Sequence, residues 1–325
     1  MTLPGLELVA ISDRSDYDES YHFAAAVALD PAGSVALAIG DPGLHVYPRS
    51  ANKPLQATAM LRAGLDLPAD LLALVCASHA GTPAHVAGVR RILDGAGLRE
   101  ADLANTPDYP LDPPSMRDVV RAGGDRSALQ MNCSGKHAGM LATCRVRSWP
   151  TDPSYLDLDH PLQATICDVI AELAAEAITH VGIDGCGAPA HVLSLMGLAR
   201  AFRAVATSAA GTPERRVYDA MRTHPFAVGG PGRDVSTLME GVPGLMAKDG
   251  ADGMFAAALP DGRAVAVKMS EGGDRARPVV VAAMLAALGV DVTQAASAWQ
   301  VPILGHGHPV GRVRPVGVLA SHLRA

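Results

Sequence analysis

The stretch Arg49-Ser50-Ala51-Asn52-Lys53-Pro54 holds a hydroxyl and an amine three positions apart, directly ahead of the run LQATAMLRAGL. If Ser50 opens that helix, Ser50 and Lys53 share one face, a turn apart. A neutral lysine amine there can take the serine proton and turn the hydroxyl into a nucleophile. The helix N-terminus and Arg49 both oppose a second positive charge at this point, which favours the neutral amine. The plainer account is a capping serine beside a solvated lysine, and S-x-x-K alone is too short a pattern to separate the two. The lysine inventory bears on the choice. Of 27 basic residues only Lys53, Lys136, Lys248 and Lys268 are lysine. Where arginine supplies nearly all positive charge, a retained lysine suggests a position where the proton has to be lost.

Other stretches carry polar residues that could do chemistry. Ser78 closes CASHAG after an apolar run and offers a second hydroxyl, or else a cap for the next turn. In Asn132-Cys133-Ser134-Gly135-Lys136-His137, Cys133 and Lys136 lie three apart, and Cys186 stands in the Gly-bounded turn Asp184-Gly185-Cys186-Gly187. Two thiolates and a neutral nitrogen suit zinc, with a fourth position left over; buried inert thiols are the competing account. Asp184 and His137 are then candidates for orienting the ligands. Lys248-Asp249-Gly250 puts a cation on a strand facing the S-x-x-K helix, the part played by K-T-G in penicillin-recognising enzymes. Lys268 either approaches the same site or pairs with Glu271 or Asp274 on the surface. His306 and His308 read as a solvated loop. Gly229-Gly230-Pro231-Gly232-Arg233 lacks the Lys-Ser/Thr that a phosphate loop needs, which argues against nucleotide binding.

The elements that must position these groups follow from periodicity. Residues 6–47 read as strands with a hairpin at Asp30-Pro31-Ala32-Gly33. Helices are expected over 54–66, 83–98, 161–178, 190–208 and 213–223, with a helix running into a buried segment over 68–79 and another opening at Asn132. Residues 101–130 form a Pro- and Gly-rich loop with short helices. From 244 the period changes to strands, with turns at Asp249-Gly250, Asp252-Gly253 and Asp261-Gly262, and RPVVVAAMLAALGV is a closing helix. The expected fold is α+β. A mixed or antiparallel sheet is built from about 1–50 and 240–325, a helical lobe fills about 51–240, and the whole of 1–325 makes one domain.

Composition narrows the classes. A net charge of −6 gives no reason to expect nucleic acid or an anionic membrane as partner. No apolar run reaches membrane-spanning length, and the N-terminus has no secretory pattern, so a cytoplasmic protein is expected. Five scattered cysteines fit reduced thiols.

Taken in order, RSANKP, CASHAG, NCSGKHAGML, DGCG, HPFAVGGPGR, AKDGADG and AVKMSEGG resemble the bacterial L-asparaginase II family, the rhizobial-type asparaginases, over nearly the whole chain. The resemblance implies a fold similar to serine β-lactamases and serine-dependent glutaminases, and hydrolysis of L-asparagine. It implies one Ser-Lys tandem at Ser50 and Lys53 and a second at Ser78 and Lys248, with Ser50 the expected nucleophile and Ser78 its rival. It further implies zinc on Cys133, Lys136 and Cys186, pocket residues Arg49, His137 and Asp184, and a homodimer. The chain is shorter than the family pattern between DGCG and HPFAVGG, which bears on the pocket rim. A glutaminase or β-lactam acylase, or a non-catalytic amide-binding protein, are the alternatives.

Overall fold

A computed structural model of the chain describes residues 4–323; residues 1–3 and 324–325, the ends of the expected domain, lie outside the described residues. The strands are β1 (Glu7–Arg14), β2 (Tyr17–Leu29), β3 (Val35–Ile39), β4 (His45–Val46), β5 (Val181–Ile183), β6 (Pro189–His191), β7 (Leu193–Ser194), β8 (Met246–Gly250), β9 (Met254–Ala258), β10 (Ala264–Met269), β11 (Pro302–Gly305) and β12 (His308–Pro315). Eight of them make the main sheet, in the order β11-β12-β1-β2-β10-β9-β8 with β3 also paired to β2. Strands from both ends of the chain therefore meet at its centre, as expected. Every pairing is antiparallel, which resolves the mixed-or-antiparallel alternative.

Alanine and valine dominate the central strands. All of β9 is buried, and in β10 only Lys268 is not. Such strands need cover on both faces. The Leu195–Thr207 helix packs against β2, β9 and β10, and the Arg277–Ala287 helix against β1, β2, β9, β10 and β12. The small side chains let these helices come close, and the apolar core continues from the sheet into the helices of residues 53–241. Among the described residues no helix is long and apolar enough to cross a membrane.

Several local expectations are corrected. Ser50 does not open an α-helix: Arg49–Asn52 is a separate 3-10 turn and the α-helix runs Lys53–Arg62, because Pro54 sits at its start where a missing N–H costs nothing. Residues 189–194 are two short strands rather than helix, β6 pairing with β5 and β7 with β4. Asp249-Gly250 lies within β8, and the turn falls at 251–253, where Asp252 and Gly253 take positive φ. The Arg277–Ala287 helix does not close the chain. The β11–β12 hairpin follows, with His306 and Gly307 in its left-handed turn and His308 in β12.

Gly250 ties the sheet to the S-x-x-K turn. A Cβ there would lie 2.5 Å from Pro48 O and 2.7 Å from Met254 Cβ. Backbone cannot yield as a flexible side chain does, so Gly250→Ala should cost about 1–3 kcal/mol by overpacking. A fall of several degrees in the thermal unfolding midpoint is the measurement that checks this.

Candidate active site

The 3-10 turn holds Arg49 at φ +54°, a left-handed conformation that a non-glycine residue adopts only when its surroundings compel it. Two carboxylates supply that constraint. Arg49 Nε donates to Asp184 Oδ1 at 2.8 Å, from the turn between β5 and β6, and its guanidinium also pairs with Asp252 in the turn between β8 and β9. Three distant segments thus converge on the residue before Ser50. The Ser50 side chain is half-buried at this junction.

Lys53 is 1% exposed. Its Nζ donates to Ala77 O at 2.6 Å and to Ser78 Oγ at 3.1 Å, and no hydrogen bond among the described residues joins it to Ser50. Ser50 lies one turn before this amine in the chain, and Ser78, expected beside Lys248, touches it in space. Lys248, expected to pair with Ser78, instead donates to Asp249 O at 2.7 Å and to the Asp249 carboxylate. The cause is local, since Asp249 is the neighbouring residue and is itself fixed by Arg233 at 2.5 Å. Burial drags the Lys248 amine down, the Asp249 charge offsets part of the fall and Lys53 adds to it, leaving about 8. Burial would raise Asp249, but Lys248, Arg233 and Arg277 hold it well below the usual carboxylate range.

The Ser78 loop is clamped to the Ser134–Arg147 helix. Ser134 Oγ donates to Leu129 O at 2.7 Å, which leaves it to accept from His79 Nε2 at 2.9 Å; the His79 Nδ1 lone pair then accepts Gly81 N–H. Gly135 permits this contact, since a Cβ there would fall 2.3 Å from Leu74 O.

Cys133, at the start of that helix, packs with Cys186 in one small buried cluster, and Lys136 Nζ donates to Cys186 Sγ at 3.1 Å. The neighbouring Cys133 thiol and, against burial, the Lys136 ammonium hold Cys186 far below its ordinary value, as thiolate. The Cys133 thiol donates to Asn132 Oδ1 at 3.0 Å, and the neighbouring Cys186 together with burial pushes it well up. Burial would lower Lys136, but the Cys186, Cys133 and Asp184 charges outweigh it and raise the amine. His137 donates or accepts at Nδ1 with Tyr155 Oη at 2.8 Å, its Nε2 has no partner, and burial with Lys136 pushes it down to about 4. Among the described residues no three His, Cys, Asp or Glu side chains group as a metal site. A metal here needs Lys136 as third ligand. Two buried sulfurs packed together, one of them 3.1 Å from a lysine nitrogen, fit zinc by donor chemistry, provided Lys136 gives up its proton.

Arg49, Asn52, Lys53, Gln56, Lys136, Asp184, Pro189, Ala190 and His191 line a narrow cavity of about 10 Å³, room for about one water. The structure thus brings Arg49, Lys53, Lys136 and Asp184 to one space, with Ser78 on Lys53 and Cys186 on Lys136, while Ser50, Cys133, His137 and Lys248 are not in its lining. Asn52, Gln56 and His191 were not among the residues expected. Asn52 stood inside the S-x-x-K motif and Gln56 one turn beyond Lys53, but nothing near His191 distinguishes it in sequence. Asp252 and Asp249 were read only as turn residues. Lys268 pairs with neither Glu271 nor Asp274 and donates to Asp252 O. The Gly229–Arg233 loop contributes Arg233 to Asp249.

Residues 10–315 match the family model described as L-asparaginase II. No curated protein matches the chain in sequence. Among solved structures the chain is similar to Mglu in its native form, at 16% identity and a TM-score of 0.42 over 82% of this chain and 62% of that one. It thus spans less than two thirds of that protein's length. A β-lactamase from Sphaerobacter thermophilus DSM 20745 aligns at 17% identity and TM-score 0.40 over 82% and 91%. EstCE1, a hydrolase with promiscuous acyltransferase activity, aligns at 12% and 0.43 over 82% and 93%.

Lys248 gives the site a measurable titration. The fold releases its proton near 8 and the unfolded chain near the ordinary 10.5, so between them the unfolded chain binds the extra proton. The folded state therefore gains stability as pH rises through that window. Unfolding free energies measured from pH 8 to 10 should climb less steeply in Lys248→Met than in the native chain.

Proposed function

The chain belongs to the L-asparaginase II family, and on that premise we propose that it hydrolyses the side-chain amide of L-asparagine to L-aspartate and ammonia. The observation that carries this reading is the buried Lys53 amine, one turn after Ser50 and in hydrogen-bond contact with Ser78. When neutral, Lys53 keeps one N–H on Ala77 O and offers its lone pair to a serine proton. Ser50 Oγ, half-buried one turn before Lys53, attacks the carboxamide carbon as Lys53 takes its proton. Collapse of the tetrahedral intermediate breaks the C–N bond, and the same proton passes from Lys53 to the departing nitrogen, which leaves as ammonia. A water then attacks the Ser50 ester, Lys53 again holds the proton, and aspartate is released with Ser50 restored.

The Lys53–Ser78 contact favours a second reading in which Ser78 is the nucleophile. Against it stands its 5% exposure, which leaves a substrate little approach. In the first reading Ser78 orients the amine.

Cys133, Lys136 and Cys186 would hold zinc, which when bound supplies a fixed positive charge for a substrate carboxylate. Arg49, His137 and Asp184 line or support the pocket that receives the amino acid. A single domain spanning 1–325, a homodimer and a cytoplasmic location complete the proposal.

Ammonia release from L-asparagine, with L-glutamine in parallel, tests the reaction. Ser50→Ala and Lys53→Arg should each lose about 10²-fold or more, because arginine cannot serve as a base. Retained turnover in Ser50→Ala together with loss in Ser78→Ala would move the nucleophile to Ser78. Release from glutamine alone would keep the mechanism and change the substrate. Elemental analysis of the purified protein should find about one zinc per chain, and none in Cys133→Ser or Cys186→Ser; native protein purified without zinc, and taking up none from added zinc, would overturn the metal proposal.

A further inference from the structure

The narrow space beside Lys53 has room for about one water, so an amino acid enters only if a group around it moves aside. Asn52, Lys53, Gln56, Lys136 and His191 are at most 4% exposed, and Pro189 and Ala190 are buried with them. Arg49 and Asp184 are the lining residues that solvent also reaches. They are joined, Arg49 Nε donating to Asp184 Oδ1 at 2.8 Å. A ligand approaching from solvent therefore meets this ion pair first.

The second partner of Arg49 is of a different kind. Arg49 Nη1 donates to the carboxylate of Asp252, which does not line the space. The Asp252 side chain is 59% exposed, against 14% for Asp184. Asp184 is thus part of the wall, whereas a pair with so exposed a partner is weak and open to exchange. A guanidinium holds a carboxylate best through two parallel N–H groups. Asp184 takes Nε, and Nη2 donates to no group among the described residues, so the Nη1–Nη2 fork is the one left. Asp252 already holds half of it. The turn carrying Asp252 is anchored from the sheet, because Lys268 Nζ donates to Asp252 O. Asp252 itself sits at φ +56°, a left-handed conformation that Asp and Asn accept more readily than other side chains.

We propose that Asp252 stands in for the substrate's α-carboxylate on Arg49 in the empty enzyme and is displaced from it when substrate binds. Within the L-asparaginase reading, on which this rests, Asp252 tunes affinity for the amino-acid end of the substrate, and Lys268 holds the competing carboxylate in place. Binding exchanges one Arg49 ion pair for another. Ionic strength should therefore hardly change the affinity, since the pair that is lost and the pair that is gained are screened alike.

The test measures L-asparagine binding by Ser50→Ala protein, in which turnover is removed, with and without Asp252→Asn. Asparagine at position 252 keeps the backbone conformation and removes the charge; Asp252→Gly, which tolerates the same φ, serves as a second variant. Both variants should bind L-asparagine about two- to fivefold more tightly at low salt. Their affinity should fall as salt is raised, while that of the parent stays nearly level. In protein with Ser50 intact, KM for L-asparagine should shift in the same sense. Equal or weaker binding by the variants would overturn the proposal, because Asp252 would then position Arg49 rather than compete for it. The same salt dependence in parent and variants would overturn it too, and so would a parent and variants that bind no L-asparagine. Ammonia release by the native enzyme separates the two readings: if it is present, the hydrolase reading survives any of these failures, and if it is absent together with binding, both fall.

Discussion

Everything around the cavity depends on placing ammonium groups where water cannot reach them. Lys53, Lys136 and Lys248 are each at most 2% exposed. A buried cation costs far more than a buried amide unless it is paired or loses its proton, and the three lysines meet that demand in different ways. Lys136 faces a thiolate, Lys248 a carboxylate, and Lys53 only a carbonyl and a hydroxyl. Of the three, Lys53 is the amine without an anion. That asymmetry is what the proposed reaction draws on, with Lys53 as its base and the other two lysines held by their anions.

The scaffold turns this electrostatic problem into a packing problem. Small residues at Gly135 and Gly250 bring backbone against backbone where a single methyl would collide. The Ser50 turn is thereby pinned between the sheet edge and the helical lobe, and the Ser78 loop is pinned to the Cys133 helix through His79 and Ser134. Arg49 then joins turns from two parts of the chain. Close-packed junctions of this kind resist small displacements, which is what groups reacting across about 3 Å require.

Much of this was legible in the chain. Alternation in residues 6–47, the strand-rich last third and the amphipathic helices between them gave the architecture, and the scarcity of lysine drew attention to residues that proved buried. What escaped reading was long-range or local in a way that patterns do not encode. Lys53 meets Ser78 through tertiary contact, and Lys248 turns to Asp249 because its neighbour is close and its distant partner is not. His191 sits in a three-residue strand whose pairing with β5 no periodicity announces. Ser50 fell on a 3-10 turn because Pro54 and the left-handed Arg49 shape the backbone there, and S-x-x-K spacing looks the same in either kind of helix. The β11–β12 hairpin was missed because a strongly apolar helix before it looked like an ending.

The sheet order has a consequence for how the chain comes into being. β1 and β2 are made before the helical segment, but β1 is flanked by β12 and β2 by β10, which are made after it. Through most of synthesis the early hairpin carries open edges, and the Ser50 turn lacks the strand that holds it. Helices of the middle segment can form locally in the meantime, whereas the catalytic junction waits for the sheet to close. Newly made chains are therefore exposed to aggregation and to thiol oxidation, since Cys133 and Cys186 lack their burial until the fold is complete. A cell gains from this delay in one respect: a half-made chain has no assembled site with which to attack an amide.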